Sequence, residues 1–367
     1  MNQGLSLCAA GLVAWTAVAA ASPQSAFEDA EAVNRQLGRG VNMGNMFEAP
    51  AEGAWGNPWK SGYFRRIAQL GFRHVRVPVC WESPERSLEE PPYTIRPEFL
   101  TRIRAVVDEA RAEGLLVILN MHHHERLIAD PAGQRARFIS QWRQIAEAFR
   151  DHPDTLLFEL LNEPNGALTP EIWNDLLAAA LAAVRESNPR RIVLVGPGEW
   201  NGLAALPRLR LPEDRHLILT VHFYDPFSFT HQGAGWAGPH AQSWLGTRWR
   251  DTEWERDEVR SRFQPLLDLR ARTGLPVHVG EFGSYERADM DSRVRWTRFL
   301  ARFFEEQRFS WAYWEFSAGF GIYDPRTESV RRPLADALLK DALPRLRRRE
   351  AASSKPSSSK GTSRAGT

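Results

Sequence analysis

The sequence predicts a single α/β domain with the fold of a (β/α)8 TIM barrel. Apolar, strand-like runs alternate with amphipathic, helix-like segments along most of the 367 residues. There are eight such runs, which is the strand number of a TIM barrel. An open doubly wound sheet would give the same alternation, but no Gly-x-Gly-x-x-Gly turn follows any of the runs. The barrel is therefore the preferred architecture.

The strands are predicted from short runs of Val, Ile, Leu and Phe. The third run (LLVILNMH) and the sixth (LILTVHFY) are apolar at nearly every position. Continuous apolar runs of this length are typical of strands that are buried on both faces of a parallel sheet. The predicted strands cover residues 38–45, 74–79, 115–122, 155–163, 191–196, 217–224, 276–282 and 309–316.

The helices are predicted from charged, amphipathic segments with recognisable ends. Gly71, Gly114 and Gly274 each follow such a segment and are typical C-cap residues. Pro170 stands at a helix start, where its missing N–H costs nothing. The predicted helices cover residues 59–70, 96–113, 134–150, 170–188, 253–273, 289–307 and 332–343, with a short helical piece at 202–206. A long loop rich in Gly and Trp is expected at 225–249.

The two ends of the chain differ from the middle. Residues 4–21 are small and apolar and finish in Ala19-Ala20-Ala21. This pattern is typical of a cleaved signal peptide over residues 1–21, although Lys and Arg are missing before the apolar stretch. We therefore expect a secreted or periplasmic protein, with an uncleaved membrane anchor as the alternative. The catalytic domain is expected at 27–345, followed by a basic, Ser-rich and disordered tail at 346–367.

Composition excludes some classes of function. The formal net charge of +2 gives no reason to expect binding to nucleic acid. No sequence motif indicates a cofactor. Cys80 would be the lone thiol after removal of the leader, and at the end of an apolar strand it is expected to pack as a small hydrophobic group.

Polar and aromatic residues gather at the carboxyl ends of the predicted strands, which all open on one face of a barrel. Glu163 ends the fourth run, and Pro164 after it cannot continue a ladder. Glu281 ends the seventh run. The remaining strand-end candidates are Asn45 and Glu48, Arg76, His122 with His123 and His124, Asn162, His222 with Tyr224, and Trp314.

Two carboxyl groups at this face, among Trp, Asn and His, predict glycoside hydrolysis. One carboxyl group must carry a proton for the leaving oxygen, and the other must be ionised. Arg76 is the cation expected to keep Glu281 ionised, although Arg76 could instead pair with a carboxylate in the core. Each Glu alone could also be an ordinary surface or ion-paired residue. The chain has 14 Trp, enough to supply stacking surfaces for sugar rings as well as core packing.

The three consecutive histidines support a rival hypothesis from another class. Histidines at this spacing are common metal ligands, so a metal-dependent barrel hydrolase that uses His122 and His124 is considered, with Glu163 and Glu281 as further ligands. Such sites usually include an Asp or Glu, and the two Glu could serve, but no Asp ends a strand on this face and Asn162 precedes Glu163 as a hydrogen-bonding neighbour. The interpretation without a metal is therefore preferred.

The residues resemble those of glycoside hydrolase family 5, the cellulase and mannanase family of retaining clan A barrels. The resemblance runs from about residue 38 to residue 316 and depends on motifs in the family's order. These motifs are GRGVNMGN with Glu48-Ala49-Pro50, Arg76, the His122-His123 pair, Asn162-Glu163-Pro164, His222 with Tyr224, Glu281-Phe282-Gly283 and Trp314.

The resemblance implies a role for each matching residue. Glu163 would be the general acid/base and Glu281 the nucleophile, while Asn162 would hold the sugar 2-hydroxyl. Arg76 and Tyr224 would contact Glu281, and the remaining residues would line the cleft or bind sugar: Asn45, Glu48, His122, His123, His222, His231, Trp236 and Trp314. No role follows for His124.

The implied activity is endo-acting hydrolysis of β-1,4-linked glucan by double displacement, with a β-mannanase or an enzyme of dual specificity as the alternative. The expected partner is a β-linked polysaccharide or oligosaccharide, bound by a monomer that needs no other protein. A retaining mechanism predicts carboxyl groups roughly 5 Å apart, against about 6.5–9.5 Å for an inverting enzyme.

Overall fold

The structure, a computed structural model, describes residues 26–340 together with Met1. Within that part of the chain, eight parallel strands close into a barrel in sequence order, and the eighth strand pairs with the first. The predicted TIM barrel is confirmed. The strands are β1 (Arg39–Asn42), β2 (His74–Val77), β3 (Leu116–Asn120), β4 (Leu156–Glu159), β5 (Val193–Val195), β6 (Leu217–His222), β7 (Val277–Glu281) and β8 (Ser310–Tyr313).

Helices cover the outside of the barrel, as the amphipathic segments predict. They are α1 (Ala26–Leu37), α2 (Tyr63–Leu70), α3 (Pro97–Ala112), α4 (Glu125–Ala129), α5 (Pro131–Ala148), α6 (Pro170–Arg185), α7 (Gly198–Asn201), α8 (Phe227–Thr230), α9 (Glu253–Thr273), α10 (Met290–Glu306) and α11 (Arg332–Leu339). A two-stranded antiparallel hairpin, β9 (Tyr323–Asp324) with β10 (Ser329–Val330), precedes α11. None of the helices in this part of the chain is long and apolar enough to cross a membrane.

Helix α1, which the sequence patterns did not predict, closes the barrel at the amino ends of its strands. Its residues Ala30 and Leu37 are buried with inward-facing residues such as Ile118 and Leu157. The carbonyl oxygen of Leu37 accepts a hydrogen bond from His74 Nδ1 at 2.8 Å. Because these polar groups are buried, their pairing fixes α1 against the strands.

The strand side chains alternate, and this alternation separates the core from the site. Val75 and Val77 pack outward in the main core under the helices, whereas Arg76 between them points into the barrel, where it meets residues of other strands. On β4 the same alternation places Glu159 inside the barrel with Leu157 below it. The polar side chains inside the barrel are therefore attached to strands whose outward-facing side chains are packed in the apolar core.

The prediction that Glu163 ends a β-strand is wrong. The ladder of β4 stops at Glu159, and Glu163 has a φ of 48°, in the left-handed region that a strand residue does not adopt. Leu160 and Leu161 are buried although they lie beyond the ladder. The apolar run therefore continues past the end of the strand, which is why the strand was predicted too long. The predicted leader 1–21 and tail 346–367 lie outside the described residues.

Candidate active site

A cleft of about 1390 Å³ opens at the carboxyl ends of the strands. Loops after most of the strands contribute to its walls. Most of the residues predicted from the sequence line it, namely Asn45, His122, His123, Asn162, Glu163, His222, Tyr224, His231, Trp236, Glu281 and Trp314. The predicted polar face of the barrel is therefore one continuous site.

Glu163 and Glu281 face each other across the imidazole of His222. His222 Nδ1 lies 2.8 Å from Glu163 Oε1 and 3.7 Å from Glu281 Oε2. One carboxyl oxygen of each Glu and a ring nitrogen of His222 all lie within 4.8 Å of one another. This spacing is shorter than the roughly 6.5–9.5 Å between the two carboxyl groups of an inverting glycosidase.

Arg76 is fully buried beneath this pair and organises it. Its Nη1 donates to Glu281 Oε1 at 2.8 Å and to Asn42 Oδ1 at 2.8 Å. Its Nη2 donates to Asn162 Oδ1 at 2.8 Å and to Glu159 Oε1 at 2.8 Å, and its Nε donates to Glu159 Oε2 at 2.7 Å. All five N–H groups of the guanidinium are thus engaged. The two sequence interpretations of Arg76, contact with Glu281 and pairing with a core carboxylate, are both correct.

Glu281 receives a second hydrogen bond, from the Tyr224 hydroxyl to Oε2 at 2.8 Å. Burial raises the pKa of Glu281 above the ordinary value for glutamate, while His222, Arg76 and the Tyr224 hydroxyl lower it. Arg76 and Tyr224 were predicted from the sequence as contacts of Glu281, whereas the rise in pKa caused by burial is visible only in the structure. Burial also raises the pKa of Tyr224, so its hydroxyl keeps its proton and donates.

Glu163 is in a different electrostatic position. Its pKa is raised to about 7, chiefly because burial penalises the charged form and further because Glu159 is negative, whereas Arg76 lowers it. The backbone around Glu163 is fixed, since its N–H donates to Asn201 Oδ1 at 3.1 Å. Glu163 is therefore suited to hold a proton near neutral pH.

The neighbouring side chains provide donors and a flat surface. Asn162 Oδ1 accepts from Arg76, which leaves its Nδ2 group as a donor for the cleft. The rings of His122 and Trp314 are stacked, with centroids 5.8 Å apart and planes at 13°. Burial lowers the pKa of His122 well below its usual range, so this ring is neutral. Neutral rings and an amide are groups that bind sugar hydroxyls and C–H faces.

Residues 36–319 match the family model described as Cellulase (glycosyl hydrolase family 5). The chain belongs to glycoside hydrolase family 5. Endoglucanase H of Acetivibrio thermocellus is 36% identical over 310 residues, covering 84% of this chain and 33% of that protein. The chain spans about a third of the length of this relative, and 36% of that of Cellulase/esterase CelE from the same organism.

Solved structures of the family agree with this assignment. Thermotoga maritima Cel5A in complex with a mannotriose substrate is 41% identical, with a TM-score of 0.82, covering 84% of this chain and all of that one. The same enzyme has been solved with cellobiose, at the same identity and TM-score. A further structure described as an endoglucanase is 44% identical, with a TM-score of 0.83.

Glu48 requires a correction. The sequence placed it among sugar-binding residues, but it is 1% exposed and does not line the cleft. Its carboxyl oxygens accept the backbone N–H groups of Asn45 and Met46. Burial raises its pKa to about 8. Glu48 therefore holds the loop that presents Asn45 and is not positioned to contact the sugar itself.

The metal hypothesis based on His122 and His124 is also not supported. His124 is buried away from the cleft, with Nδ1 2.9 Å from Glu82 and Nε2 3.3 Å from Gln141. Both of its ring nitrogens are thus used by the protein. Within residues 26–340 the donor set that could hold a metal is instead Glu163, His222 and Glu281. The Arg76 guanidinium, bonded to Glu281, would repel a divalent cation there.

Sequence reasoning missed several residues of this family 5 site. Glu159, four positions before Glu163, is a charged residue within an apolar run. Because a buried charge is costly without a partner, its position in the sequence indicates a buried partner. Trp200 follows β5, the strand to which no site residue was assigned, and it lines the cleft with 58% of its surface exposed. Glu315 next to Trp314 accepts the backbone N–H groups of Ser317, Ala318 and Phe320, and so holds the loop after β8.

The sixth loop approaches the cleft as the sequence predicts. His231 stacks on Phe227, with ring centroids 4.0 Å apart. Trp236 is 65% exposed and contacts Tyr285 edge to face at 4.9 Å. The loop therefore adds aromatic side chains to the wall of the cleft.

Proposed function

We propose that this chain is an endo-β-1,4-glucanase that hydrolyses its substrate with retention of anomeric configuration. The observation that carries this proposal is the spacing of Glu163 and Glu281, whose carboxyl oxygens lie within 4.8 Å of each other. Retaining glycosidases place the two carboxyl groups about 5–5.5 Å apart, and inverting enzymes about 6.5–9.5 Å. The names of the relatives, Endoglucanase H and Cel5A, support the glucanase assignment.

In the proposed reaction, Glu163 donates its proton to the glycosidic oxygen while Glu281 attacks the anomeric carbon. The bond to the leaving sugar breaks as the glycosyl–Glu281 bond forms. Glu163, now ionised, then takes a proton from water, which attacks the same carbon and releases Glu281. The pKa of about 7 at Glu163 suits both the acid and the base step.

The shape of the cleft supports endo action on a chain. Exposed aromatic residues lie on separate loops around the glutamates, with Trp55 46%, Trp200 58% and Trp236 65% exposed. Aromatic faces at several positions along an open cleft can stack on successive sugar rings. We infer that the substrate lies across the barrel mouth and is cut internally.

The test is hydrolysis of a panel of soluble polysaccharides with sizing of the products. Carboxymethyl cellulose and mixed-linkage β-glucan should give oligosaccharides of intermediate length, and nuclear magnetic resonance of early products should show the β-anomer first. Release of only short products from chain ends would refute endo action. An α-anomer as first product would refute retention.

The nucleophile is tested with Glu281→Ala, which should abolish hydrolysis while the protein stays folded. Glu305→Gln is a matched control, because Glu305 is a buried carboxylate paired with Arg39 at 2.7 Å and does not line the cleft. Activity of the Glu281→Ala protein on glucan and mannan alike would show that the assignment is wrong.

Mannan is the second candidate substrate. The reason is that Cel5A of Thermotoga maritima has been solved with mannotriose as well as cellobiose. Glucomannan and linear mannan therefore belong in the panel. We expect glucan to be the better substrate, and a higher kcat/KM on mannan would reverse this order.

We also propose that the protein is exported and acts as a monomer without a metal or cofactor. Residues 1–21, the basis for export, precede the barrel in the sequence. Amino-terminal sequencing of the mature protein, light scattering, and activity in the presence of a strong chelator test the three statements in turn. Loss of activity with the chelator and recovery on adding a metal would restore the metal hypothesis.

A further inference from the structure

We propose that Glu159 is a positioning residue for this reaction, which holds the Arg76 guanidinium in place and takes up part of its charge. The proposal rests on the proposed function, since it concerns how Glu281 and Glu163 are prepared for catalysis. Glu159 does not line the cleft and cannot touch the substrate. It acts only through Arg76 and through its own negative charge.

The geometry of the pair is that of a fixed clamp. Both carboxyl oxygens of Glu159 accept from Arg76, at 2.7 and 2.8 Å, and both side chains are 1% exposed or less. A bidentate arginine–carboxylate pair fixes the plane of the guanidinium as well as its position. The other three N–H groups then point at Asn42, Asn162 and Glu281. Two of these partners, Asn162 and Glu281, line the cleft.

The clamp also sets the charge beneath the two reacting carboxyls. Arg76 alone would neutralise Glu281, and a nucleophile fully paired with a cation is less reactive. With Glu159 present, one positive charge is shared between two carboxylates, so that the group of three carries a net negative charge. That charge lies below Glu163 and favours its protonated form, the form that a general acid needs.

The same reasoning gives the sign of the expected change. Glu159→Gln keeps the size of the side chain and removes its negative charge. Glu163 would then lose its proton at lower pH, because one of the charges that raises its pKa is gone. The alkaline limb of kcat/KM against pH, which reports loss of the general acid, should therefore move to lower pH. The value of kcat should fall by about 100-fold, the scale of misplacing a reacting group by about 1 Å.

Glu159→Asp separates the two effects. It keeps the charge and shortens the side chain, so kcat should fall while the alkaline limb keeps its wild-type midpoint. Glu305→Gln is the control, because it also breaks a buried pair with an arginine, here Arg39 at 2.7 Å, outside the cleft. It should lower thermal stability and leave both kcat and the pH profile unchanged.

The experiment compares the full pH profiles of the wild type and the three variants on one soluble β-glucan. The rate of covalent labelling by a 2-deoxy-2-fluoro-cellobioside, followed by mass spectrometry, gives a second measure of Glu281 reactivity. The proposal is supported if the limb shifts in Glu159→Gln only, and if labelling is slowed in both Glu159 variants and unchanged in Glu305→Gln. A folded Glu159→Gln with the wild-type limb, or the same shift in Glu305→Gln, overturns it.

Two further outcomes remain decisive. If Glu159→Gln does not fold, wild-type kcat and labelling in Glu159→Asp overturn the proposal, and reduced values with an unchanged limb support it. If the wild type neither cleaves any β-glucan or mannan nor reacts with the labelling reagent, the proposed function fails before the role of Glu159 is in question.

Discussion

Replacing Arg76 by leucine should destabilise the protein strongly, and the loss should depend on pH. The substitution removes a fully buried cation and leaves Glu159 and Glu281 buried without their partner. Breaking a buried ion pair by removing one member costs about 3–5 kcal/mol, since an uncompensated charge remains. Domains have total stabilities of about 5–15 kcal/mol, so the variant should fold but lose much of its margin.

The assay is urea unfolding of wild type and Arg76→Leu between pH 4 and pH 8, followed by tryptophan fluorescence. The difference in free energy of unfolding should be largest at the high end of this range. It should shrink as the pH falls, because the stranded carboxyls take up protons and their charge disappears. Arg143→Leu is a matched control, since Arg143 contacts Glu186 at 2.6 and 2.8 Å but both side chains are about half exposed.

The exposed control pair should contribute at most about 1 kcal/mol at any pH. If Arg76→Leu is no more destabilising than Arg143→Leu, burial of the Arg76 network has no energetic consequence and the prediction is wrong. A loss that stays constant from pH 4 to pH 8 would likewise contradict it, because the cost would then come from packing and not from charge.

Three further predictions concern pH and binding. The alkaline limb of kcat/KM should lie near pH 7, because the pKa of Glu163 is raised to about 7. The limb should vanish in a Glu163→Gln variant assayed with an activated aryl glycoside. A limb that persists in this variant would show that another group titrates there. Trp236→Ala should raise KM for cello-oligosaccharides by about 5- to 30-fold, equivalent to about 1–2 kcal/mol. The control is Trp254→Ala, which should leave KM unchanged because Trp254 is 74% exposed and lies outside the cleft. Equal effects of the two substitutions would refute the stacking role of Trp236. Burial lowers the pKa of His74 to about 4. Because the unfolded state binds the proton first, the free energy of unfolding should fall by up to about 3 kcal/mol as the pH drops from about 6.5 toward 4. A His74→Gln variant measured by urea unfolding should lose that part of the acid sensitivity.

The sequence predicts the barrel well because parallel strands need apolar side chains on both faces, and that requirement is visible as eight apolar runs. It predicts strand ends less well. The run that holds Leu160 and Leu161 stays apolar after the β4 ladder has stopped, because those side chains are buried in the core even where the backbone has left the sheet. An apolar run in the sequence indicates that its side chains are buried. It does not show where the backbone hydrogen bonds of the strand end.

The site shows the same division. Most of the residues that the strand-end pattern singles out line the cleft. Some of the residues that hold them, such as Glu159 and Glu315, were not predicted, because their partners are backbone groups or are distant in sequence. Glu48 was misassigned for this reason: it binds the N–H groups of Asn45 and Met46, and no side-chain pattern encodes such a contact. Trp200 follows β5, and only the fold shows that it lines the cleft.

The central question about two carboxyls this close is which of them keeps the proton. Such a pair titrates as a unit, and the surroundings decide where the proton lies. Glu281 has one N–H of Arg76 and the Tyr224 hydroxyl as donors, whereas none of the five N–H groups of Arg76 reaches Glu163. Donors aimed at Glu281 favour its charged form, so the proton goes to Glu163. His222 Nδ1, 2.8 Å from Glu163 Oε1, is placed to accept a hydrogen bond from the protonated Glu163, because burial lowers the pKa of His222 and favours its neutral ring. Burial raises the pKa of both groups. The hydrogen bonds that reach Glu281 from Arg76 and Tyr224 then favour the charged form at Glu281 and the proton at Glu163, which is the distribution that the proposed roles of nucleophile and acid require.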